Sequence, residues 1–153
     1  MLAEYLVALA VGSTTVPRDP WAPYDVVDPA GVTIEVKSAA YLQAWDQRAL
    51  SRINFLVRPT ASPTVVLGET PVVSRRSQVW VFALLHHLDQ GTLNPLDLTQ
   101  WSFWVVPTSW LNARERSQHS IGVAALIGSP FGEAVTFAEL ASTITRVSKL
   151  EEF

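Results

Sequence analysis

Residues 24–40 read YDVVDPAGVTIEVKSAA, two β-branched runs on either side of Asp-Pro-Ala-Gly, and no other segment constrains the fold as strongly. Such runs flanking a Pro/Gly turn predict a β-hairpin. The length of its loop decides which side chains share a face. A two-residue loop, Pro29-Ala30, pairs Asp28 with Gly31 and Asp25 with Ile34, and puts Asp25 and Glu35 on opposite faces. A three-residue loop, Pro29-Ala30-Gly31, is favoured, because a type I turn takes proline at its first central position and glycine supplies the left-handed bulge residue. Asp28 then pairs with Val32, and Asp25 stands opposite Glu35. In that register Val26, Ile34 and Val36 form an apolar face, while Asp25, Glu35 and Lys37 gather on the other. The two carboxylates are then about 5 Å apart at their Cβ atoms.

Residues 2–11 (LAEYLVALAV), followed by Gly12, predict a helix with a C-terminal glycine. Pro17, Pro20 and Pro23 exclude regular structure from 14–23, which reads as a connector with Trp21 as an aromatic plug. Residues 41–51 carry few breakers and predict a helix or irregular helical turn, and 53–57 a third strand. Residues 58–77 read as a long loop containing Arg75-Arg76, and loops of that length are often functional. The apolar run QVWVFALL at 78–85 suits a central strand buried on both faces. A polar connector (86–100) leads to a further strand, WSFWVV at 101–106.

After Pro107, the segment WLNARERS predicts a short helix with Thr108 or Ser109 as its cap. In 136–149, Thr136 and Glu139 have capping-box spacing, and Phe137, Leu140, Ile144 and Val147 recur at helical intervals. The order α–β–β–(α)–β–β–β–α–α predicts an α/β (α+β) fold, a mixed central β-sheet flanked by helices. A single domain is expected over 1–153, with a core at about 2–106 and a C-terminal helical elaboration at about 107–150.

Eleven Lys and Arg against fourteen Asp and Glu leave a formal charge of −3, which excludes a purely electrostatic nucleic-acid coat. The absence of cysteine excludes a disulfide framework, a thiolate zinc site, an iron–sulfur cluster and a cysteine nucleophile. Residues 1–12 are apolar but carry Glu4 and lack a basic leader, so no secretion signal is read there. No run reaches the roughly 18 apolar residues of a membrane span, and the expected location is the cytoplasm, away from membranes. There is no Gly-x-Ser-x-Gly elbow, Walker loop or dinucleotide fingerprint. Adjacent His86 and His87 on a strand point to opposite faces and cannot chelate a metal together. His119 reads as a loop histidine.

The charged face of the hairpin has a specific chemical use. Asp25 and Glu35 can hold a hard divalent cation, with the Val36 carbonyl as a further oxygen ligand. Mg²⁺ needs only one or two protein carboxylates, because waters and phosphate oxygens complete its shell. Lys37 then stands where it can orient or help deprotonate an attacking water, or offset charge on a phosphate. The metal lowers the pKa of bound water and clamps phosphoryl oxygens, so no covalent nucleophile is needed. The same trio also reads as a solvated sheet face with cross-strand salt bridges. Against that stands the concentration of three charges in a chain with only 16% charged residues.

A helix bearing Glu4, then Asp25, then Glu35-Val36-Lys37 resembles the PD-(D/E)XK, or restriction-endonuclease-like, nuclease superfamily. The resemblance implies that Asp25 and Glu35 bind Mg²⁺, or Mn²⁺ in its place, and that Lys37 is the catalytic lysine. It makes Glu4 the acidic residue that many members carry on the first core helix, sometimes for a second metal. Glu4 equally reads as an acid favourable to a helix N-terminus. The αβββαβ core of the family matches roughly residues 2–106, although Tyr24 replaces the proline of the Pro-Asp pair. The segment IEVKSAAYLQAW also resembles a group of small uncharacterised bacterial proteins.

Gln43 resembles a glutamine that many members carry shortly after the Glu-x-Lys triplet. Arg75 and Arg76, with Lys37, Arg48, Arg52 and Arg58, read either as a phosphate-binding edge or as ordinary surface charge. Trp80 and Trp104 fall in strand runs and read as core, Trp45 as exposed. The implied activity is Mg²⁺-dependent hydrolysis of phosphodiester bonds in DNA. The acidic net charge leaves room for a homodimer or a separate DNA-recognition partner. The rivals are a catalytically inactive member of the same fold acting as a binding or assembly module, and an unrelated fold with a coincidental charged hairpin.

Overall fold

The hairpin closes in the three-residue register. Its strands, β1 (Val26–Val27) and β2 (Thr33–Ala40), pair antiparallel with Val26 opposite Ile34 and Val27 opposite Thr33. Gly31 takes the left-handed conformation (φ +89°), open to glycine for want of a Cβ. Asp28 belongs at the turn because its Oδ1 accepts the N–H groups of Ala30 and Val32 at 2.9 and 2.8 Å.

A computed structural model describes residues 1–62, 66–114 and 119–151. It is a mixed α+β fold. The central sheet adds β6 (Val79–Leu85) and β7 (Trp101–Pro107) in the order β1-β2-β6-β7, with β2 and β6 parallel and both outer pairs antiparallel. All seven residues of β6 are buried, as its unbroken apolar run requires.

Alternation along β6 sorts the core into two layers. Val79, Val81, Ala83 and Leu85 pack with Ile34 and Val36 beneath two helices, α1 (Leu2–Val11) and α4 (Phe137–Ser148). Trp80, Phe82 and Leu84 face a second cluster. It is built from a ribbon of β3 (Asn54–Leu56) and β8 (Ser120–Gly122), with α2 (Thr108–Ala113) and α3 (Val123–Ile127). The capping box of α4 forms, Glu139 Oε2 accepting the Thr136 N–H at 3.0 Å. Its residues Leu140, Ile144 and Val147 are buried against α1 and the sheet, so this C-terminal helix belongs to the main core cluster.

Several local expectations are corrected. The third strand forms but leaves the central sheet, pairing antiparallel with β8. Phe55 accounts for this: it is buried with its ring 5.1 Å from that of Phe82, while Asn54 and Leu56 face outward, so β3 lies across the sheet rather than beside it. Residues 41–51 are not helical. Gln47 donates to the Tyr41 carbonyl and to Ser51 Oγ and accepts the Gln43 N–H, so side-chain amides take the backbone groups a helix would pair.

Trp21 is no plug, being 81% exposed. Neither Thr108 nor Ser109 caps α2, whose N-cap is Pro107. The Thr108 hydroxyl instead donates to the Ser77 carbonyl, and the Ser109 N–H donates to Glu151. The loop of 58–77 contains one short ribbon, β4 (Thr60–Ala61) with β5 (Val73–Ser74). Residues 63–65 of that loop and 115–117 of the WLNARERS segment lie outside the described residues. Among those described, no helix is long and apolar enough to cross a membrane.

Candidate functional site

β2 outruns its partner. Asp25, just before β1, still donates its N–H to the Ile34 carbonyl at 3.0 Å, and there the backbone pairing ends. The Val36 N–H faces this open edge and is taken by the Asp25 side chain, Oδ2 accepting at 2.9 Å. In a strand the N–H and C=O of one residue point to the same side, so the Val36 carbonyl faces the Asp25 edge as well. Asp25 therefore both closes the hairpin and presents a carboxylate at its end.

Glu35 and Lys37 project on the face of β2 that carries Trp80 and Phe82 from β6, since Glu35 is level with Trp80 and Lys37 with Phe82. Ala39 on the same face packs against the second core cluster, whereas Glu35 and Lys37 lie beyond its rim and stay partly exposed. Lys37 Nζ lies 2.7 Å from Glu35 Oε1 and 5.4 Å from the centroid of the Trp80 ring, so an ion pair and a cation–π contact hold it.

A further cation, which the sequence reading did not single out, completes the site. Arg18, in the proline-rich connector, places Nη1 3.1 Å from Glu4 Oε2 and Nη2 3.6 Å from Asp25 Oδ1. It ties the first helix to the hairpin end. Nothing periodic marks it; the available signal was a basic residue between three prolines, following a helix that carries an isolated acid.

Burial dominates the electrostatics at this end of the hairpin. The Glu35 carboxyl is raised above its ordinary 4.5, chiefly by burial, with the negative charges of Asp25 and Glu4 adding to the effect and the Lys37 hydrogen bond opposing it. The donor set fits a hard cation of low protein-ligand demand, namely two carboxylates at one strand end with the Val36 carbonyl on the same edge. Among the described residues no three His, Asp or Glu side chains form a metal-holding group, and Glu4 joins the others only through Arg18.

The other singled-out residues disperse. Arg75 and Arg76 diverge, as neighbours on an extended segment do. Arg75 donates from Nε to the Val57 carbonyl at 2.8 Å and from Nη1 to Asn112 Oδ1 at 2.7 Å, away from the hairpin end. Arg76 donates to Thr60 Oγ1 and the Ala61 carbonyl and lines the same cleft as Asp25 and Glu35. Gln43 spends its amide nitrogen on the Ala40 carbonyl and Ser51 Oγ, bracing the 41–51 loop. His86 and His87 turn to separate partners, Ser102 and Thr92. Trp80 and Trp104 are buried and Trp45 is exposed.

Two cavities meet at the charged end. A polar cleft of about 180 Å³ lies between Arg18, Asp25, Glu35 and Arg76. A second of about 330 Å³ runs between α1 and the connector, with Tyr5, Ala8, Val16 and Tyr24 among its walls. Arg18, Tyr24 and Asp25 line both. No family model matches the sequence, nor does any curated protein or solved structure.

Proposed function

We propose that this chain is a Mg²⁺-dependent nuclease with a restriction-endonuclease-like core, hydrolysing phosphodiester bonds in DNA in the cytoplasm. One observation carries the reading: the Asp25 and Glu35 carboxylates line one cleft at the hairpin end, with Lys37 Nζ 2.7 Å from the Glu35 carboxylate. The fold offers support in a first helix bearing Glu4, a hairpin bearing Asp25 and Glu35-Val36-Lys37, and a parallel neighbour to the second hairpin strand.

Asp25, Glu35 and the Val36 carbonyl would hold the cation, which supplies an activated water and a clamp on the phosphate oxygens. Lys37 offers N–H groups to the attacking water or the phosphate, and its ammonium offsets charge developing on the phosphoryl oxygens. Arg76, which lines the same cleft, offers the remaining N–H groups of its guanidinium to a phosphate. A net charge of −3 leaves tight DNA affinity to a homodimer or a separate recognition partner.

The inactive binding module remains the second reading, and a specific observation favours it: Glu4 and Asp25 are paired with Arg18 and Glu35 with Lys37, a network that closes without a metal. Cleavage of labelled single- and double-stranded DNA in Mg²⁺, Mn²⁺ or EDTA separates the two. The nuclease predicts metal-dependent cleavage by the wild type that disappears in Lys37→Ala and Glu35→Ala. Folded protein that neither cleaves DNA nor binds Mn²⁺ in calorimetry overturns it in favour of the binding module.

A further inference from the structure

The two cavities at the charged end differ in chemistry and share a wall. The smaller is polar, with the guanidinium groups of Arg18 and Arg76 beside the Asp25 and Glu35 carboxylates. The larger combines Tyr5, Ala8, Val16 and Tyr24 with the charged groups of Glu4, Arg18 and Asp25, and its volume of about 330 Å³ lies at the low end for a small organic ligand. Arg18 is 52% exposed and spends two of its nitrogens on Glu4 and Asp25, so further donors of its five N–H groups remain for an anion.

From this juxtaposition we infer that the cavity between α1 and the connector receives one unpaired nucleobase, whose phosphate lies in the adjoining arginine-lined cleft; the substrate is thus single-stranded or locally unpaired DNA. The inference rests on the nuclease reading for the identity of the cleft and goes beyond it in naming the strand state. A base flanked by Tyr5 and Tyr24 gains stacking and apolar contact whatever its identity. A base held in a duplex is stacked and paired on its neighbours and enters such a cavity only by leaving the helix, at a cost of unstacking.

The test is fluorescence anisotropy with the intact chain, in Ca²⁺ and again in EDTA. It uses three labelled probes of equal length: a single strand, its duplex, and a strand with the same phosphates but abasic sites in place of the bases. The single strand is expected to bind at least about fivefold more tightly than either other probe, and Tyr5→Ala to remove most of that margin. Tyr5 is 57% exposed, so its truncation leaves the fold intact, and circular dichroism of the variant checks this.

Equal affinity for duplex and single strand, equal affinity for the abasic strand, an unaffected Tyr5→Ala, or no binding of any probe overturns the inference. The nuclease reading is judged separately by cleavage. Cleavage without single-strand preference defeats the base cavity alone, and single-strand preference without cleavage defeats the nuclease alone.

Discussion

Asp25 Oδ2 accepts the backbone N–H of Val36 at 2.9 Å, so the residue offered as a metal ligand also completes the hairpin. These two roles separate by substitution. Asp25→Ala leaves the Val36 N–H without its acceptor and Arg18 without one of its carboxylates, and is expected to cost about 1–2 kcal/mol of stability. Asp25→Asn keeps an acceptor for Val36 and should stay within about 0.5 kcal/mol of wild type while losing the anionic oxygen a cation needs. Urea denaturation and Mn²⁺ calorimetry on both variants check the split.

Arg18 occupies the carboxylates that a second cation would contact, at 3.1 Å from Glu4 and 3.6 Å from Asp25. It is half exposed, so solvent screens much of the attraction. Removing its charge in Arg18→Gln is expected to tighten Mn²⁺ binding by about fivefold, equivalent to roughly 1 kcal/mol. Calorimetric titration reads this directly, and unchanged or weaker affinity in Arg18→Gln contradicts competition at this position.

Burial raises the Glu35 carboxyl in the folded chain above its ordinary 4.5, with Asp25 and Glu4 reinforcing the shift. The folded state therefore holds the Glu35 proton more tightly than the unfolded state. The associated stability is fully present below pH 4.5 and is lost as the pH rises through the raised value. Glu35→Gln has no such titration. The stability of wild type relative to Glu35→Gln should decline as the pH rises above about 4.5, other groups cancelling in the difference. Thermal melts of both proteins across this range check the slope, and a flat difference refutes it.

The C-terminal helix covers the same apolar cluster as α1, with Ile144 wholly buried among residues of the first layer. Ile144→Ala is expected to cost about 2–5 kcal/mol, the range for emptying a packed aliphatic site. A chain ended after residue 135 uncovers one face of β7 and should fail to melt cooperatively. Circular dichroism melts of the two proteins test whether this helix is integral to the core.

The elements that were legible in the sequence share one property: their signals are short in range. Pro29, Gly31 and the Asp28 carboxylate select the three-residue loop, and strand alternation along β2 puts Glu35 and Lys37 on one face. The apolar run of 78–85, the helix after Met1 and the capping box at Thr136 are likewise read within one element. Residues 41–51 depart from the helical expectation because helix propensity there is neutral, and the Gln43, Gln47 and Ser51 network that wins exists only once the loop has closed.

By itself, then, the sequence determined the hairpin, its three-residue register and the sharing of one face by Glu35 and Lys37, because turn chemistry and a period of two act over a few residues. Only the tertiary structure decided that β3 pairs with β8 at a sequence separation of 64 or more, as Leu56 does with Ser120, instead of joining the sheet. It also decided that Arg18 bridges Glu4 to Asp25, and that Arg76 faces the cleft while Arg75 turns away. Those outcomes depend on which apolar faces bury one another, and burial is a property of the assembled core that no local run of residues contains.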